Sequence, residues 1–121
     1  VLESFIEKNA DKLVCLQDGL KPSEEQFLKN NGVEIPDVST FEKLSGSICS
    51  LKGVLSIDSF VGHFAGNLGC QVSLFVPVNT DWRWGYHGST TPWYKGHKLV
   101  RQKCIGEWEG VLNEWTKTIN D

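Results

Sequence analysis

Residues 53–77 read GVLSIDSFVGHFAGNLGCQVSLFVP. Val54–Ile57 and Val72–Val76 are short apolar runs, the pattern of strands buried on both faces of a parallel sheet. Between them Asp58-Ser59 supplies side chains that cap a helix. That helix runs to Leu68 and stops at Gly69; Pro77 closes the second strand. Strand, helix and strand in this order make a βαβ unit, two parallel strands joined by a crossover. Gly62, Gly66 and Gly69 let the helix lie close to its neighbours. Their spacing is not G-x-G-x-x-G, so the dinucleotide fingerprint is absent. In an open parallel sheet, ligands sit beyond the carboxyl ends of the strands. A helix start there adds backbone N–H donors that favour anions. Asp58 and Ser59 stand at that junction, and His63 follows about one turn into the helix. The same residues also have a plainer reading, as a helix cap, packing glycines and a hydrogen-bonded structural histidine.

Downstream, residues 77–102 read PVNTDWRWGYHGSTTPWYKGHKLVRQ. Gly85, Gly88, Pro92 and Gly96 break any long regular element, so a loop of about 20 residues is expected, a length usual only for functional or disordered segments. Trp82, Trp84, Tyr86, Trp93 and Tyr94 argue against disorder, since they need partners. No carboxylate lies between Trp82 and Gly106, whereas Arg83, Lys95, Lys98, Arg101 and Lys103 do. Because the loop leaves the carboxyl end of a strand, we expect it on the same sheet edge as Asp58, sharing one cleft with it. Some rings then close the core, while the basic groups clamp phosphate and the exposed rings stack on a base or sugar.

Working outward, residues 1–9 form an opening helix with Leu2, Phe5 and Ile6 on one face. Leu13–Gln17 is a short apolar run ending at Asp18-Gly19, and is expected to join Val54–Ile57 and Val72–Val76 in one parallel sheet. Pro22 starts a helix that Asn31-Gly32 ends. Val33–Ile35 is a brief strand closed by Pro36. Ser39 or Thr40 caps a helix through Ile48. Lys98–Arg101 reads as another strand. Glu107–Ile119 is a closing helix with Trp108, Val111, Leu112 and Trp115 at helical spacing.

The whole is 121 residues, enough for one domain spanning 1–121. Twelve Lys and Arg against fifteen Asp and Glu leave a net charge of −3. Such a balance speaks against a nucleic-acid partner, whose affinity comes from many basic groups. Residues 1–60 carry six basic and ten acidic side chains (−4), and residues 61–121 six and five (+1). No run is long enough for a membrane span, and no signal peptide is read at VLESFIEKNA. The chain contains no Met, so it reads as processed, trimmed or a fragment. Cys15, Cys49, Cys70 and Cys104 form no C-x-x-C pair, and the three histidines show no ligand spacing. No metal site is therefore expected, and buried free thiols are preferred to two disulfides. A small hydrolase is disfavoured, because neither a G-x-S-x-G elbow nor a carboxylate dyad is present.

Several ordered motifs resemble the C-terminal lobe of bacterial TPR-associated glycosyltransferases, similar to the ADP-heptose:LPS heptosyltransferases of two-lobed GT-B architecture. Asp58-Ser59, His63-Phe64-Ala65-Gly66 and Leu68-Gly69 resemble that family's D-[ST]-x-x-x-H-[LF]-A-G-x-L-G. Asp81-Trp82-Arg83-Trp84, Thr91-Pro92-Trp93-Tyr94, Lys98–Gln102 and Gly106-Glu107-Trp108 follow in the family's order. Leu13–Gln17 with Asp18-Gly19 resembles the segment at the first strand of that lobe.

The resemblance implies an α/β fold, Rossmann-like, with three α/β/α layers and a small, mainly parallel sheet. It implies a cytoplasmic donor-binding lobe that holds a nucleotide diphosphate-sugar without a cofactor and cannot transfer alone. Asp58, Ser59 and His63 would line the diphosphate and sugar, with backbone N–H groups of Phe60 and Val61 near phosphate. Gln17, Arg83, Trp84, Trp93, Tyr94 and Arg101 complete the expected ligand contacts. No catalytic residue is assigned, since the family's catalytic base lies in the acceptor lobe. The partner is that N-terminal lobe or a second copy of the chain. The alternative is a binding or interaction protein derived from such a lobe, possessing no catalytic activity.

Overall fold

The computed structural model describes Val1–Asp121. It is a mixed α/β chain with five α-helices and one open, parallel, three-stranded sheet. The helices are α1 (Leu2–Asn9), α2 (Pro22–Asn30), α3 (Phe41–Cys49), α4 (Phe60–Asn67) and α5 (Glu109–Asn120). The strands are β1 (Val54–Ser56), β2 (Val72–Val76) and β3 (His97–Arg101). No helix is long and apolar enough to cross a membrane. The chain gathers into two compact units, Val1–Ser47 and Ile48–Asp121.

In the first unit, Phe5, Leu28, Val33 and Leu44 are buried. Proline at the start of α2 needs no N–H partner, and Glu24 accepts from the Lys21 N–H at 2.9 Å. Gly32, in the left-handed region at φ 77°, ends that helix. Thr40 caps α3 by accepting from the Lys43 N–H at 3.2 Å. Asp37 accepts from the hydroxyl and N–H of Ser39 and pairs with Lys43 at 2.7 Å. The Lys43 ammonium, followed by the Ser39 donors, holds the Asp37 carboxyl well below the usual carboxylate range.

One expected strand is corrected here. Leu13–Gln17 does not join the sheet; it makes a single parallel bridge, Val14 to Glu34, with the Cys15 N–H donating to the Glu34 carbonyl at 2.9 Å. Leu13 to Leu16 are only half-buried and Gln17 is exposed. An apolar run favours extended backbone but does not choose its partner. A central strand also needs cover on both faces.

In the second unit β2 is central, pairing Val54–Val72 on one side and Val72–His97 on the other, in register through Val76–Arg101. All five β2 residues are buried. Successive side chains of a strand point to opposite faces. Gly62 of α4 faces Leu74, whose side chain lies 3.3 Å from where a Cβ would stand. Trp108, just before α5, stacks on the next residue, Phe75, at 4.4 Å. From α5, Glu114 reaches Lys98 of β3 at 3.8 Å.

The thiols also differ from expectation. All four are free, but Cys49 and Cys104 are exposed and Cys15 and Cys70 only half-buried. Cys49 closes a helix and Cys104 lies in a turn, positions where little apolar cover is available. Burial first, and then the neighbouring Cys49, push the Cys70 thiol up.

Candidate functional site

The site grows from the turn after β1. The Ser56 hydroxyl donates to the Ile57 carbonyl at 2.7 Å and lies 3.2 Å from the Ser59 hydroxyl. Ser59, with extended backbone, is the N-cap of α4, yet its side chain makes no cap hydrogen bond. Asp58 does not cap the helix either; its carboxylate accepts from His63 Nε2 at 3.2 Å. The other ring nitrogen, Nδ1, lies 2.9 Å from the Tyr94 hydroxyl. Both nitrogens of His63 are therefore engaged, one on each side.

The orientation of these hydrogen bonds follows from donor and acceptor capacity. A carboxylate only accepts, so Nε2 carries the ring proton. A neutral imidazole then accepts at Nδ1, and Tyr94 donates its phenol proton there. The Asp58 and His63 side chains are partly open, at 30% and 28% exposure, so solvent or a ligand can reach them.

Behind His63 stand stacked rings. Trp84, buried, lies 5.5 Å from His63 and 5.8 Å from His97. Tyr94 stacks on His97 at 4.5 Å. Such offset ring pairs stabilise the fold modestly beyond their buried area. His97 is buried, and neither ring nitrogen has a hydrogen-bond partner. Burial, and then the neighbouring His63, hold the His97 imidazole below its usual value. α4 meets this stack through Gly66, where any Cβ would stand 2.6 Å from the His97 ring and 2.8 Å from the Tyr94 ring.

The segment 77–96 connects β2 to β3 with only a 3₁₀ turn, Trp82–Trp84. The strands are parallel, so this connection starts at the carboxyl end of β2 and returns to the amino end of β3. The Gly96 carbonyl accepts from the Val72 N–H at 2.9 Å, placing Gly96 beside the first residue of β2. The expectation that the whole loop lies on the carboxyl edge is thus corrected: its final residues sit at the opposite edge, and the Tyr94 side chain reaches α4 from there. On the way, the Ser89 carbonyl accepts from the Leu99 N–H at 2.8 Å, covering the outer edge of β3.

Arg101 has a role that its charge did not reveal. Its guanidinium donates to the carbonyls of Trp84, Gly85, His87 and Gly88. Gly85 and Gly88 both adopt positive φ, 63° and 88°, which turns the carbonyls toward one donor. Arg101 and buried Trp84, both expected to touch a ligand, hold the loop together.

The remaining expected residues divide by exposure. Arg83 is half-buried and faces Asp81 at 3.5 Å and the Trp82 ring at 5.6 Å. Trp93 is exposed and meets Trp82 edge-on at 5.6 Å. Trp82, absent from the expected contacts, is more open still, at 70% exposure. The sequence held no signal for this: Trp82 and Trp84 flank Arg83, an extended chain would put both rings on one face, and it is the 3₁₀ turn that separates them. Phe60 is exposed and in ring contact with Phe64 at 5.3 Å, and Val61 is half-buried beside it in α4. Gln17 belongs to the first unit. No group of three or more His, Cys, Asp or Glu side chains is arranged to hold a metal.

Comparison with protein-family models, with curated proteins and with solved structures finds no match to this chain.

Proposed function

We propose that the second unit is the donor-binding lobe of a glycosyltransferase resembling the heptosyltransferase-like GT-B enzymes. In this reading its sheet is the centre of a Rossmann-like, three-layer α/β/α lobe. The ligand is a nucleotide diphosphate-sugar lying beyond the carboxyl end of β1. The observation that carries the reading is Asp58, on the turn directly after β1 and paired with His63 of α4 at 3.2 Å. Asp58 accepts hydrogen bonds from sugar hydroxyls through its second oxygen. His63 tempers the negative charge of that carboxylate toward the diphosphate. The first turn of α4, near Val61, offers backbone donors to phosphate. Arg83 supplies the positive charge, because its pairing with Asp81 is loose and open to solvent. Exposed Trp82 and Trp93 offer faces on which a base stacks.

The test is a thermal-shift panel of nucleotides and nucleotide-sugars. A ligand at 100 times its Kd adds about 2.7 kcal/mol of stability. We expect a shift with at least one nucleotide diphosphate-sugar, reduced in Asp58→Ala and in Arg83→Ala, the latter more at low salt than at high salt. We also expect no glycosyl transfer from these 121 residues, because a donor site without an acceptor site cannot bring reactants into register. A panel without any shift sinks the reading.

A further inference from the structure

Tyr94, His63 and Asp58 stand in a row of hydroxyl, imidazole and carboxylate, contributed by the β2–β3 connection, by α4 and by the turn after β1. The separations are 2.9 Å and 3.2 Å. A hydroxyl next to an imidazole that is oriented by a carboxylate is the arrangement that activates an oxygen. We propose that Tyr94 is an acid–base group of this site, its phenol oxygen taking the proton of a ligand hydroxyl while its own proton passes to His63.

The step balances within these three residues and the ligand. The ligand O–H bond breaks and its proton moves to Tyr94 Oη. The Tyr94 O–H bond breaks in turn, and that proton moves to His63 Nδ1. The ligand is left as an alkoxide and His63 as an imidazolium, which Asp58 stabilises by accepting from Nε2. Asp58 is here a positioning residue: by accepting only, it keeps the proton on Nε2 and leaves Nδ1 free to receive. The rings behind keep the geometry fixed. Trp84 stacks on His63, Tyr94 stacks on His97, and Gly66 leaves room for both. The class of ligand is an alcohol, and the sugar of the proposed nucleotide diphosphate-sugar supplies such hydroxyls. The proposal rests on that reading only for the identity of the alcohol.

The chain provides its own control, because it has two tyrosines. Tyr86 is 77% exposed, while Tyr94 is half-buried against His63. An aryl sulfonyl fluoride converts a phenol to a sulfonate ester: the S–O bond forms, fluoride leaves and the phenol proton goes to a base. With the intact 121-residue chain near neutral pH, peptide mass spectrometry reads the rate at each tyrosine. We expect Tyr94 to react about tenfold or more faster than Tyr86, the roughly hundredfold gain at the low end of what a positioned base contributes being offset in part by its lower exposure. His63→Gln should abolish that preference and leave the Tyr86 rate unchanged. Asp58→Asn gives a second test that does not depend on His63→Gln folding. An amide that donates to Nε2 moves the ring proton to Nδ1, so the Tyr94 rate falls and the ¹⁵N signals of His63 report the exchanged tautomer. Equal or slower reaction at Tyr94 than at Tyr86 overturns the proposal. So does a Tyr94 rate that neither variant changes. Because no nucleotide-sugar takes part, failure of the labelling and failure of the donor-site reading are separate results.

Discussion

Two regions of the second unit meet at His63 and are built differently. The first, β1 with its turn and α4, is made of neighbours in sequence. Asp58 bonds His63 five residues on, and Ser56 touches Ser59 three residues on. The second, residues 77–96, contains no α-helix and takes its shape from distant partners. Arg101 gathers four carbonyls 13 to 17 residues before it, and Tyr94 bonds His63 across 31 residues. The first region can take shape as soon as a strand and a helix pack. The second needs the sheet to exist already, since both Arg101 and His97 are strand residues.

That difference ranks the effects of substitution. Among the glycines the largest is expected where the connection closes on the sheet. A Cβ on Gly96 would collide with the Cys70 carbonyl, which is backbone and cannot rotate away. Gly96→Ala should cost about 3 kcal/mol, the upper end for overpacking. That lowers the melting temperature by on the order of 10 °C. Gly62→Ala, in the first region, meets the ends of two side chains, Ser56 at 3.1 Å and Leu74 at 3.3 Å. It should cost about 1 kcal/mol. Equal losses in the two variants would break the distinction.

Arg101→Lys comes next. Lysine keeps the charge but lacks the planar fork that serves several carbonyls at once. The expected loss is about 2 kcal/mol, accompanied by a changed near-ultraviolet circular dichroism signal as Trp84 loses its fixed surroundings. A variant as stable as the parent, with an unchanged spectrum, would show that the loop does not depend on the guanidinium.

The two regions were also unequally legible in the sequence. Val54–Ser56, Phe60–Asn67 and Val72–Val76 declare themselves by apolar runs, a capping position and a terminating glycine, all of them local signals. The same signals misread Leu13–Gln17, because an apolar run does not specify its partner strand. At the site, Asp58 and His63 sit at a strand end where chemistry is expected. The role of Arg101 could not be read, because a basic residue in an aromatic segment looks the same whether it faces phosphate or carbonyls. Nor could Trp84 and Trp82 be sorted into buried and exposed: the 3₁₀ turn that separates them is set by Asp81 accepting from the Arg83 N–H.

A smaller effect tests the ring stack by pH. His97 is held below its usual value by burial and by His63, so in the folded state it resists taking a proton. The unfolded chain binds that proton near the ordinary histidine value, about 6.5. Stability is therefore highest above that value and declines as pH falls below it. His97→Phe keeps a ring in the stack and removes the titration. Its melting temperature should fall less than the parent's between about pH 7 and about pH 5. The Asp37 contribution lies in a different window: its carboxyl is held low, so the stability it adds is lost only below the ordinary carboxylate value of about 4. Parallel pH profiles for the two chains would remove His97 from the account.

The smallest effect on stability is expected at Trp82, and it separates holding from binding. Trp82 is 70% exposed, so its removal uncovers little apolar area. It gives up an edge-to-face contact with Trp93 at 5.6 Å and the Arg83 guanidinium at 5.6 Å. Each is worth about 0.5–1 kcal/mol at an open site, and part returns as side-chain freedom. Trp82→Ala should therefore lower stability by about 1 kcal/mol or less. In the same connection buried Trp84 stacks on both histidines, and Trp84→Ala should cost about 3–5 kcal/mol. Yet under the donor-site reading Trp82→Ala should weaken the nucleotide-dependent thermal shift, because the stacking face is gone. Stability and ligand response thus move apart in the two tryptophans. If Trp82→Ala keeps the full nucleotide shift, the exposed pair is not the platform for the base, and Asp58 with His63 must hold the ligand without it.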